Sequence, residues 1–201
     1  MDYIDWTKEP DVERLRMLVE LLANNPAAAV PGLELLAERG SVAACSHLAY
    51  FYLEGGPAEF LDINKAKYWY LKAQERGNQE AAYMLGRLHY QAHEYGLAFL
   101  SFSKGTKYGY PPAIFNLAGL YKRGEGTEKN LSEYKRLLEL ASSKKHIVAK
   151  RDLAVLLLSG QFGLTAAGRG LLIYFSFLKD TGYILKKAFT PGSTHDERTI
   201  T

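Results

Sequence analysis

The sequence predicts an all-α fold, an α-α superhelix (a right-handed solenoid) of about five helix pairs. Three observations carry that prediction. Leucine-centred segments recur at near-constant spacing, glycines close the helices at matching points, and aromatic residues follow the leucines at helical intervals.

The first segment is Leu48-Ala49-Tyr50-Phe51-Tyr52-Leu53-Glu54-Gly55. Its counterparts start at Leu85, Leu117 and Leu153, giving leucine-to-leucine spacings of 37, 32 and 36 residues. Such periods belong to arrays of stacked helix pairs. Leu at one position and a large side chain four later meet on one helix face. The small residue after each Leu lets a neighbouring helix approach, and the closing Gly adopts the left-handed conformation that ends a helix.

A second helix follows each first one. Over 63–77, Ala66, Trp69, Tyr70 and Ala73 recur at three and four residues and form one buried stripe, closed by Gly77. The same closing pattern ends at Gly40 and Gly109. Polar turns such as Gly55-Gly56-Pro57 and Gly124-Glu125-Gly126-Thr127 link the helices within a pair. Residues 11–40 read as a degenerate N-terminal pair, with Pro10 before an amphipathic helix and Asn24-Asn25-Pro26 as its turn. Residues 41–160 hold the repeats, and 161–190 an apolar C-terminal helix. All of 1–190 is expected to form one helical-repeat domain, and 191–201 a polar, disordered tail.

Composition narrows the functional classes. Hydrophobic residues make up 47% and charged residues 23% of 201, ordinary for a folded protein. A single cysteine, Cys45, excludes an internal disulfide and any multi-cysteine zinc site. The acidic start, Met1-Asp2-Tyr3-Ile4-Asp5-Trp6, lacks the basic and apolar regions of an export signal, so a cytoplasmic location is expected, with attachment to the inner membrane surface as a variant. Residues 1–100 carry 9 Lys/Arg and 14 Asp/Glu, or −5, whereas residues 101–201 carry 16 and 8, or +8. An acidic protein or anionic surface is the partner that imbalance suggests, biased but solvated helix faces being the plainer reading. The basic excess is spread over several helices, so no nucleic acid is expected.

Residues Lys65-Ala66-x-x-Trp69-Tyr70-x-Lys72-Ala73-x-x-x-Gly77, together with Leu117 to Gly126, make the chain similar to the Sel-1-like branch of the tetratricopeptide-repeat superfamily. The similarity is strong over about 40–160 and weak over 11–40 and 160–187. The second repeat is shortened between Tyr90 and Leu97, and the third has Tyr134-Lys135-Arg136-Leu137 in place of the Trp-Tyr pair. The resemblance implies a scaffold or adaptor that binds a peptide or protein in a concave groove, in bacterial cell-envelope, polysaccharide or signalling pathways. It implies no enzyme and no cofactor. In such arrays the first helix of each pair lines the groove. That places Ser46, Tyr50, Leu53 and Glu54 there from the first repeat, and Tyr83, Arg87, Tyr90 and Gln91 from the second. Phe115, Gly119, Lys122 and Arg123 come from the third and Arg151, Val155, Leu158 and Ser159 from the fourth. Half-buried packing is the competing reading of the same positions.

Two further features have alternatives. His89, His93 and Glu94 have a spacing that suits a metal, but His89 stands where Tyr52 and Tyr121 stand in the other repeats and no third ligand is evident, so no metal is expected. The segment 170–189 is apolar with basic flanks. It suits a closing helix, a homodimer or partner surface, or an amphipathic membrane-surface anchor. Ile173, Phe175, Phe177, Tyr183, Lys186 and Lys187 are the candidate contact residues for the last two.

Overall fold

The computed structural model describes residues 9–189, with side chains described through residue 182. The expected tail at 191–201 lies outside the described residues. Ten α-helices and no strand occur among those described. They follow one another as α1 (Val12–Asn24), α2 (Pro26–Glu38), α3 (Val42–Tyr50), α4 (Ile63–Glu75), α5 (Gln79–Gln91), α6 (Tyr95–Lys107), α7 (Pro111–Arg123), α8 (Leu131–Ser143), α9 (Ile147–Leu158) and α10 (Leu164–Phe189). Taken in order they give the five predicted pairs. The chain divides between Leu137 and Leu138 into two compact units, each considered by itself below.

Local chemistry sets the boundaries between pairs. At the ends of α2, α4, α6 and α8 the amide five positions on bonds back across the last turn. Ser41 N donates to Leu36 O, Asn78 N to Ala73 O, Tyr110 N to Gly105 O and His146 N to Ala141 O, each at 3.0 Å. This closure places the preceding residue in the left-handed region, at Gly40 (φ 109°), Gly77 (88°), Gly109 (79°) and Lys145 (65°). The three predicted glycines do this without a Cβ clash, and Lys145 does it as an exception. The next residue then caps the following helix: Ser41 Oγ accepts from Ala44 N, Asn78 Oδ1 from Ala81 N and His146 Nδ1 from Ala149 N. At the third boundary Pro111 and Pro112, which lack amide protons, begin α7 instead.

Burial follows the predicted stripes. In α4, Ala66, Trp69, Tyr70 and Ala73 are buried. In α3, Leu48 and Ala49 are buried and the chain winds on through a π-helical turn, Phe51–Gly55, that buries Phe51 and Tyr52. Gly86 of α5 sits against Phe102 of α6, and a Cβ there would come within 2.6 Å of the ring. Arg76 ties three helices together: its guanidinium donates to Ala37 O at 2.8 Å and to Cys45 Sγ at 3.0 Å. Burial pushes the Cys45 thiol up to about 11, so it stays protonated as a core residue. Upstream of α1, Glu9 accepts from Ser41 Oγ and from Ala43 N, adding a carboxylate to the N-terminus of α3.

The shortened second repeat turns within Ala92–Glu94, with His93 at φ 60°. The third keeps its glycine loop, with Gly124 and Gly126 both left-handed. In the second unit α9 and α10 pack along each other, and Gly170 lets α10 approach to 2.9 Å, from its missing Cβ to Leu157 Cβ. At 26 residues α10 is twice as long as the 13-residue helices before it.

Candidate binding cleft

A cleft of about 360 Å³ opens in the first unit between α3 and α5, floored by α4. Ser46, Tyr50 and Glu54 enter it from the first repeat and Arg87 from the second, all four at positions where the repeat register places groove residues. Tyr50 is 52% exposed. Its ring rests on Gly55, where a Cβ would come within 2.5 Å of Cε1, so the backbone there holds the tyrosine at the cleft wall. A smaller depression of about 120 Å³ adjoins it and is lined by Leu53, Glu54, Met84, Arg87 and Gln91, among others.

The other lining residues are not groove positions in the repeat register, and Tyr70 belongs to the predicted buried stripe of α4. Tyr70 forms the floor, His47 comes from α3, and Asn78, Glu80, Ala81 and Met84 come from the start of the next pair. Asn78 Nδ2 donates to Ser46 Oγ at 3.2 Å, joining the two sides. Burial, and after it the Glu80 and Glu54 carboxylates, push the Tyr70 phenol up, so it remains a neutral hydroxyl. Burial lowers His47 below its ordinary 6.5, so near neutral pH the cleft contains uncharged imidazole. Glu54 and Glu80 form no ion pair among the described residues. Arg87 lies over the Tyr83 ring at 5.8 Å. The cleft therefore offers two carboxylates, one guanidinium, tyrosine surface and a thioether.

The remaining predicted groove residues sit elsewhere. Tyr83 is half-buried and packs edge-on against Tyr110 at 5.6 Å. Tyr90 packs on Tyr95 at 5.3 Å, with Arg123 over its ring at 5.4 Å. Arg123 also donates to Glu125 at 2.6 Å. Lys122 is exposed and lies over the Tyr134 ring at 5.3 Å, and Phe115 is half-buried. Arg151 belongs to the second unit and pairs with Asp152 at 2.7 Å. The packing reading thus fits Tyr83 and Tyr90, whose rings serve the helix interfaces.

The histidines of the shortened repeat are engaged locally. His89 Nδ1 meets Glu94 at 2.6 Å, Lys67 reaches the same carboxylate at 3.4 Å, and His93 Nδ1 meets the Tyr95 hydroxyl at 2.8 Å. Among the described residues no three His, Cys, Asp or Glu side chains gather as a metal site.

In α10 the half-buried residues include Ile173 and Phe177, whereas Phe175 is 60% exposed. Tyr183, Lys186 and Lys187 have side chains outside the described residues. The bare face consists of Leu171, Leu172, Phe175 and Leu178, of which only Phe175 was selected individually from sequence. No described helix is long and apolar enough to cross a membrane.

His146 gives a pH-dependent cap. Its Nδ1 accepts the Ala149 amide at 3.1 Å, which requires that nitrogen to be unprotonated, and burial holds the ring below 6.5. A histidine whose folded value is depressed contributes fully above its unfolded value. The contribution is lost as pH falls from about 6.5 through the lowered folded value. Thermal melts across pH 8 to 4.5 are expected to show a plateau above about 6.5 and a decline below it. His146→Asn, which copies the cap at Asn78, is expected to make the decline shallower. The same decline in wild type and variant would refute the role given to this imidazole.

Comparison with known proteins places the fold. The Sel1 repeat family profile matches residues 42–78, 79–102 and 111–146, which correspond to α3–α4, to α5 with the first part of α6, and to α7–α8 with the following turn. The chain carries three Sel1 repeats and is a Sel1-like repeat protein. Its fold is similar to that of a Sel1 repeat protein from Oxalobacter formigenes, with a TM-score of 0.73 and 20% identity over 87% of this chain and 77% of the other. It is also similar to a protective antigen of uropathogenic Escherichia coli with an SLR fold, with a TM-score of 0.71 and 16% identity over 97% of this chain. The chain spans about half of that antigen, 52% of its length. No curated protein is matched by the sequence. Sel1 repeats typically mediate protein–protein interaction, and proteins built from them are generally non-catalytic scaffolds.

Proposed function

We propose that this chain is a non-catalytic adaptor that holds an extended segment of a partner protein in the cleft between α3 and α5. The observation that carries the reading is the pairing of exposed tyrosine surface with unpaired charge in one concavity. Tyr50 forms the wall, Glu54 and Glu80 supply carboxylates without ion-pair partners among the described residues, and Arg87 lies between the cleft and the adjoining depression. Aromatic and arginine side chains in desolvated pockets are the residues that most often dominate binding energy. The lining carries two negative charges and one positive, which favours a segment presenting a lysine or arginine. A cationic side chain there would meet both carboxylates and the tyrosine rings. The expectation of an acidic partner came from the other end of the chain, where the basic excess lies.

Selection of displayed peptides on the full chain tests this. The reading expects selected peptides to share a basic residue and to bind the Tyr50→Ala/Arg87→Ala variant at least tenfold more weakly, since truncating a hot-spot residue costs about 2 kcal/mol. Both positions are exposed, so the variant should keep its fold. Unchanged affinity in the folded variant would refute the cleft as the binding site.

A further inference from the structure

The second unit contains another concavity, of about 520 Å³, between the start of α9 and the middle of α10. Lys145, Lys150 and Lys179 line it, with Asp180 as the single carboxylate, leaving a surplus of two positive charges (three minus one). Lys150 is committed: it donates to Asp180 at 2.6 Å and to Ser176 Oγ at 2.7 Å. Lys145 and Lys179 are exposed and form no ion pair among the described residues. Lys145 stands at the helix boundary with a left-handed backbone, φ 65°. The concavity thus presents two uncommitted ammonium groups beside a third that is fixed, an arrangement that suits a phosphate.

Beside it lies apolar surface that a water-facing helix has no reason to carry. Leu171, Leu172, Phe175 and Leu178 are 48, 72, 60 and 45% exposed. Gly168 and Gly182 fall on the same face, and nothing lies within 4 Å of where their Cβ atoms would stand. Lys179 follows Phe175 by four residues and so stands on that face too, at the mouth of the lysine-lined concavity. Cationic groups bordering a contiguous apolar face on one helix have the layout of a segment that lies in a membrane interface. Residues 138–201 carry 9 Lys/Arg and 5 Asp/Glu, a net +4, so the charge of the whole unit has the same sign.

We propose that the α9–α10 hairpin docks on anionic phospholipid. A headgroup phosphate sits between Lys145, Lys150 and Lys179, and the row Leu171, Leu172, Phe175 and Leu178 enters the acyl boundary. The inference is independent of the α3–α5 cleft, so an adaptor could carry its partner segment to a lipid surface.

The test is flotation of the full chain with vesicles of phosphatidylcholine alone or of phosphatidylcholine mixed with phosphatidylglycerol. Recovery is expected with the anionic vesicles, weakening as salt rises. The Lys145→Gly/Lys179→Gln variant is expected to partition roughly 25-fold less, since each near-surface lysine contributes about 1 kcal/mol. Lys145→Gly places glycine where Gly40, Gly77 and Gly109 serve the same turn, so its melting temperature is expected to hold or rise. Phe175→Asp, at an exposed position, is expected to abolish recovery without unfolding the chain. Equal recovery with neutral vesicles, or undiminished recovery of the double-lysine variant, would overturn the proposal. So would binding of inorganic phosphate without vesicle binding, which would assign the lysines to a soluble ligand. A dimer in light scattering that Phe175→Asp dissociates, with no vesicle binding, would assign the face to a second copy.

Discussion

Phe102→Ala is expected to destabilise the chain by about 3–5 kcal/mol, the range for removing a fully buried phenylalanine ring. Phe102 is 1% exposed, and its ring fills the space that glycine leaves at position 86 of the neighbouring helix, with Tyr83 at 6.2 Å. Removing it opens a cavity between α5 and α6, and the Asn78 Nδ2–Ser46 Oγ bond that ties the N-terminus of α5 to α3 opposes the movement that would close it. The measurement is urea unfolding of the full chain beside Leu100→Ala, a residue of the same helix that is 59% exposed and should change stability by no more than about 0.5 kcal/mol. Equal, small effects from the two would contradict the packing described for this pair.

Gly126→Ala is expected to cost about 2–5 kcal/mol. Two effects add: a left-handed backbone (φ 68°) costs roughly 1–2 kcal/mol for an alanine, and overpacking costs roughly 1–3 kcal/mol. The new Cβ would collide with the carbonyl of Tyr95, and the nitrogen of Gly96 lies 2.9 Å from it. These are backbone atoms at the start of α6, so no side-chain rotation relieves the contact. Gly77→Ala isolates the first effect, since Gly77 has φ 88° and nothing within 4 Å of its Cβ position. The Gly126 variant should therefore unfold at clearly lower urea than the Gly77 variant. The reverse order would mean that the 124–130 loop does not press on α6.

The two glycines show how much was legible in the sequence. Gly77 is part of the repeat, and its role as a helix terminator follows from its place after a periodic apolar stripe. Gly126 was read as a loop glycine, but its contact with Tyr95 depends on how one pair stacks on another, which local spacing does not encode. The same divide runs through the cleft. The repeat register puts Tyr50, Glu54 and Arg87 on first helices or their π-helical continuation, and the three line one concavity. Tyr70 and Glu80 are not groove positions in that register: the floor comes from the buried stripe of α4, and Glu80 stands in the first turn of α5, before the leucine from which groove positions are counted. Tyr83 and Tyr90 occupy groove positions in the register but have aromatic neighbours, Tyr110 and Tyr95, that draw their rings into packing. In α10 nearly every position is apolar, so periodicity could not separate Phe175, which is exposed, from Ile173 and Phe177, which are half-buried. Lys145 was unreadable for another reason: only the positive φ shows that it stands in a glycine's place.

The central claim is that the α3–α5 cleft holds a partner segment. It is tested most directly by placing a photoreactive side chain at Tyr50, at Arg87 or, outside the cleft, at Leu100, and irradiating each protein with a peptide selected on the wild-type chain. Covalent adducts are expected from positions 50 and 87 and not from position 100. Adducts from position 100 with none from the cleft, while the peptide still binds, would contradict the account.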